Sequence, residues 1–178
     1  RLELAVVVVE HLVLGDAETA LERAEAAKDP QVLWPSLAFG VRAFAATDRV
    51  RADRLASELL SGWEAHGLRM FGDFAWPSDL AIALVALGRA SDLPALIEES
   101  RVKTPWRKAA AAYVSGDFQA AAAVYSEIGA LPEEADARLR AAEFLVREGG
   151  SAEAAAELTR SIAFWRSVGA VAYVRPGE

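Results

Sequence analysis

A period constrains this chain more than any other feature. Five times the sequence runs from an apolar stretch through a Gly-Asp-like turn into a stretch rich in small residues. "VVVVEHLVLGDAETALERA" does so around Gly15 and Asp16, and "AFGVRAFAATDRVRADRLASELL" around Thr47 and Asp48. "DLAIALVALGRASDLPALIEE" turns at Gly88, "AAAAYVSGDFQAAAAVYSEIG" at Gly116, and "AAEFLVREGGSAEAAAELTRSI" at Gly149. The intervals between these anchors are 32, 41, 28 and 33 residues, a mean of 33.5. Side-chain size keeps step with the spacing. Five residues after each turn stand Ala20, Ala52, Leu93, Ala121 and Ala154, small in all but one case. Four further on come Ala24, Ala56, Ile97, Tyr125 and Leu158, one helical turn along the same face. Seven before the turn sit Val8, Gly40, Ala81, Ala109 and Ala142. Small residues recurring there allow two helices to touch, and a repeat of about 34 residues is the mark of stacked helix–turn–helix units.

Composition agrees. Of the 178 residues 39 are alanine, the best helix former, so the expected class is all-α. Val6 to Val9 is the one run of β-branched residues, and it admits a buried strand. The register at Gly15 and Ala20 favours helix there. The formal net charge is −7, with acids spread along the whole chain. That argues against nucleic acid, which needs a concentrated basic face. The densest basic stretch, "DRVRADR" (Asp48 to Arg54), is diluted by its own aspartates and reads as a solvated helix face. Without cysteine there is no disulfide framework and no thiolate chemistry, which fits a reducing, cytoplasmic location. The apolar run "LAIALVALG" is far too short to span a membrane, so no membrane partner is expected. No signal peptide is visible, and an opening Arg1 with a closing "VRPGE" reads as a fragment of a larger protein.

Two local features need an account. Trp-Pro-Ser occurs twice, in "LWPSLAFG" and "AWPSDLAI". Proline suits a first helical turn, where its missing N–H would be unpaired anyway, so Pro35 and Pro77 read as helix starts. Pro105-Trp106 and Pro132 fit the same role in the fourth and fifth repeats. A binding signature used twice is the alternative. The 41-residue interval implies an insertion at "EAHGLRMFGDFAW" (Glu64 to Trp76), apolar enough either to tuck over the array or to form an interface.

No catalytic motif is present. The phosphate-binding G-x-x-x-x-G-K and G-x-G-x-x-G patterns are missing, as is the G-x-S-x-G elbow. His11 and His66 lack ligand spacing, so no metal or cofactor is expected. Glu133 and Glu134 follow Pro132 in a helix first turn, where acids favour the helix dipole. The expectation is that the chain is not an enzyme.

The matching positions include Phe39-Gly40 and Tyr125, which resemble the tetratricopeptide consensus. The resemblance implies an α-solenoid of about five antiparallel helix pairs in a right-handed superhelix. The repeats are expected near 1–30, 31–66, 74–102, 103–130 and 131–168, as one array over 1–178. From Thr104 to Arg175 the chain is also similar to the C-terminal helical tails of actinobacterial signalling proteins. In those, a cyclase or transcription-regulator domain is joined to a signal-transduction ATPase. Pro105-Trp106, Gly116-Asp117-Phe118, Tyr125, Ile128-Gly129, Pro132, Ala137-Arg138-Leu139, Phe164 and Val168-Gly169-Ala170 carry that likeness.

By the same resemblance, the first helix of each pair lines a concave groove. The lining would present Trp34, Leu37, Val41, Phe44, Ile82, Trp106 and Tyr113, together with Leu2, Val9 and Val85. This lining is apolar and aromatic, without the lysines and asparagines of arrays that clamp acidic chaperone tails. It suits an apolar helix or a neighbouring domain of the parent polypeptide. Two alternatives stay open: the side chains pack within a tighter superhelix, or the tryptophans Trp34, Trp76 and Trp106 receive a small-molecule inducer. The expected role is a non-catalytic interaction or regulatory module.

Overall fold

The structure, a computed structural model, describes residues 15–26, 29–66, 75–99 and 103–170. Among the described residues every regular element is helical and no strand occurs. The first described helical stretch, α1, covers 15–26. It is followed by α2 (Pro30–Phe44), α3 (Arg49–His66) and α4 (Trp76–Leu87). A short 3-10 turn (Ala90–Asp92) then leads into α5 (Pro94–Glu99). The remaining helices are α6 (Pro105–Val114), α7 (Phe118–Glu127), α8 (Leu131–Arg147) and α9 (Ser151–Ser167). The stretch Val6 to Val9, whose strand or helix character the sequence left open, lies outside the described residues, as does most of the insertion.

The helices break where the periodic anchors stand, and the chemistry of the breaks is local. Gly88, Gly116 and Gly149 take φ of 73°, 83° and 85°, a left-handed backbone that side chains with a Cβ resist. After the turns at Thr47 and Gly116 an aspartate caps the next helix, whereas among the described residues no side chain caps the elements that follow Gly88 and Gly149. Asp48 accepts a hydrogen bond from the Arg51 N–H at 3.0 Å, and Asp117 accepts from the Ala120 N–H at 3.1 Å. Each carboxylate satisfies a donor that the first turn leaves over. Thr104 does the same for α6, accepting from the Arg107 N–H at 3.3 Å, with Pro105 at the first helical position.

Pro77 also falls in a first turn, that of α4, and Pro132 in that of α8. Pro35 does not, which corrects the reading of the first Trp-Pro-Ser. Helix α2 already begins at Pro30, where the Asp29 carbonyl accepts from the Val32 and Leu33 N–H groups. Pro35 therefore sits inside the helix. An interior proline costs about 3 kcal/mol. Burial of Trp34 and Leu37 on the same helix offsets that cost, at roughly 1.5–3 kcal/mol for a large apolar side chain. The Ser36 hydroxyl, meanwhile, donates to the Val32 carbonyl at 2.8 Å.

The described residues fall into two compact units, divided between Ser115 and Gly116. The division falls at the turn inside the interval 103–130.

In the first unit α2 packs on α3 and α4, and α4 packs on α6. Helix α4 is buried on nearly all sides, through Leu80, Ala81, Ala83, Leu84 and Leu87. A helix that is apolar all round belongs at the centre of its unit. Gly40 shows how closely the helices approach. A Cβ there would stand 3.0 Å from Leu21 Cδ1 of α1 and 3.2 Å from Leu55 Cδ1 of α3. Arginines tie the helices at the rim: Arg42 of α2 pairs with Asp79 of α4, and Arg49 of α3 donates to the Leu87 carbonyl at the end of α4. A cation at that end also complements the helix dipole.

The small-residue register places side chains where it should. Ala52, Leu93, Ala121 and Ala154 are buried, and so are Ala24, Ala56, Ile97 and Tyr125. Gly40, Ala81, Ala109 and Ala142 are buried as well, while Ala20 and Leu158 are half-buried.

One core position is chemically awkward. Ser78 is fully buried on α4, and its hydroxyl has no hydrogen-bond partner among the described residues. A buried, unmet hydroxyl costs on the order of 1–3 kcal/mol. Ser78→Ala is therefore expected to raise stability by about 1 kcal/mol in urea denaturation. A loss of stability instead would show that the hydroxyl is satisfied.

In the second unit α8 packs against both α7 and α9. Ala135, Ile162 and Trp165 form a core cluster, joined by the partly buried Leu158, Phe164 and Ala170. The buried Ser161 hydroxyl crosses from α9 to the Ala135 carbonyl of α8 at 2.7 Å.

Candidate functional site

The side chains nominated as a groove lining begin on α2. Trp34, Leu37, Val41 and Phe44 recur at three- and four-residue steps, so the helix carries them on one face. That face is not open. All four are buried, Trp34 with 5% of its surface exposed and Val41 with none. Ile82 on α4 and Tyr113 on α6 are buried too. Val85 and Trp106 are half-buried, and Leu2 and Val9 lie outside the described residues. The chain itself takes up these positions, because α2 and α6 both lie against α4. Of the four nominated aromatic residues only Trp106, next in sequence to the buried Arg107, is not fully buried.

The structure brings the two Trp-Pro-Ser copies together. The rings of Trp34 and Trp76 meet edge to face, with centroids 6.3 Å apart and planes at 65°. Trp63 of α3 completes the cluster, 5.1 Å from Trp76 at 71°. Such edge-to-face pairs contribute about 0.5–1.5 kcal/mol beyond the area they bury. Gly62 lies against the Trp34 ring, where an added Cβ would stand 3.4 Å from the Trp34 Nε1, at ordinary contact distance. Sequence reasoning missed Trp63. Its signal was the four-residue step Leu55, Leu59, Trp63 in "RLASELLSGWEAH", which places the tryptophan on the apolar face of the helix.

The charged groups are organised as struts. Arg51 lies over the Phe44 ring, 4.1 Å from its centroid, and pairs with Glu18 of α1 at 2.7 Å. Arg89 donates to the Asp53 carbonyl and to the Ser57 hydroxyl, each at 3.1 Å, and pairs with Asp92 at 2.8 Å. In the second unit Arg138 joins Glu134 on its own helix at 2.8 Å to Glu157 of α9 at 2.7 Å. Burial works against the Arg138 charge, yet its hydrogen bonds to Glu157 and Glu134 outweigh it and hold the guanidinium pKa above its ordinary value. Glu133 and Glu134 do stand in the first turn of α8, as the dipole argument expects.

The surface is apolar in a few places. On α2, Val32 and Phe39 are exposed and lie seven residues apart, hence on one side of the helix. On α8, Leu131, Phe144 and Val146 are exposed.

Among the described residues no group of three or more His, Cys, Asp or Glu side chains is placed to hold a metal ion. None of the described helices is long and apolar enough to cross a membrane. No protein-family model matches the chain, and no curated protein or solved structure matches it either.

Proposed function

We propose that this chain is a non-catalytic interaction and regulatory module, a tetratricopeptide-like α-solenoid that docks a helix or neighbouring domain of a larger signalling protein. The observation that supports this reading is the repeated register. The position five residues past the turn is buried in four successive repeats of the sequence, at Ala52, Leu93, Ala121 and Ala154. Repetition of one helix-pair geometry is how extended helical interaction scaffolds are built. The buried lining from Trp34 to Phe44 then serves as frame. The surface offered to the partner is the outer side of α2, with Val32 and Phe39 as apolar anchors.

The test pairs stability with binding. Val32→Asp with Phe39→Asp, in the full chain, alters side chains 46% and 36% exposed and is expected to cost about 0.5–3 kcal/mol in total while the helical fold is kept. Affinity for the neighbouring domain of the parent polypeptide, supplied in trans, is expected to fall at least about tenfold, or about 1.4 kcal/mol. Unchanged affinity with an intact fold would remove α2 from the interface. Tryptophan quenching by small metabolites, unaffected by the double change, would support an inducer receptor instead.

A further inference from the structure

We draw no further inference here: the strongest candidate, the exposed apolar side chains Leu131, Phe144 and Val146 on α8 of the second unit, carries nothing because nothing in the structure shows what covers them.

Discussion

Replacing Trp34 with alanine is expected to cost about 3–5 kcal/mol of folding free energy, the range for an aromatic removed from a packed core. Trp34 is buried, lies edge to face with Trp76, and closes over Gly62. Its removal forfeits the buried area, leaves a cavity, and unseats the ring that joins α2 to α4. A fall in melting temperature of more than about 10 °C should accompany it. Trp34→Phe, which keeps an aromatic edge, should recover part of the loss. The measurement also decides between two readings of the lining residues. A Trp34→Ala chain that melts like the parent would mean that this face is an open surface and that the arrangement on α2 is wrong. A large loss makes Trp34 a packing residue.

The second large effect belongs to Arg138. Its side chain is 13% exposed and faces Glu134 and Glu157, themselves at 17% and 14%. Arg138→Met keeps the aliphatic stem but leaves two carboxylates close together without their cation. Breaking a buried pair in this way costs about 3–5 kcal/mol. Partial solvent access here lowers the expected cost to about 2–3 kcal/mol. Adding Glu157→Gln to that variant should restore part of the stability, because the residual repulsion is removed. If the double variant is no more stable than Arg138→Met, the two helices are not coupled through this arginine. The pKa of Arg138 is raised, so the stability from its charge is fully present below the ordinary arginine pKa. It is lost only as pH climbs through the still higher folded value. The penalty measured for Arg138→Met should therefore owe nothing to arginine titration near neutral pH.

What could be read from the sequence was what local chemistry decides. A glycine that must adopt positive φ and an aspartate that must cap the next helix are neighbours in the chain, as at Gly116 and Asp117. Helix contacts were legible for a related reason. Ala52, Ala121 and Ala154 leave space for a neighbouring backbone, and that space recurs with the period. The site was harder, because the same apolar face can line a groove or fill a core. Val41 looks identical in both settings until α3 and α4 are placed against α2. Trp63 escaped because its partner Trp76 belongs to another helix. The Arg138 strut was half visible. Glu134 precedes it by one helical turn, an i,i+4 pair readable from the chain, but Glu157 lies 19 residues on. Pro35 misled because a proline that suits a helix start was instead tolerated inside one.

The grouping of Trp34, Trp63 and Trp76 also gives the molecule an optical consequence. Two indole pairs that share Trp76, with planes at 65° and 71°, couple their excited states and should produce an exciton couplet in circular dichroism. That signal arises wholly within the first unit. The second unit contains a single indole, Trp165, whose neighbour is the ring of Phe164 at 4.9 Å. In the unaltered chain the couplet would thus report the first unit alone, while the helical dichroism reports both. Coincident melting curves would make them one cooperative block, and separated curves two.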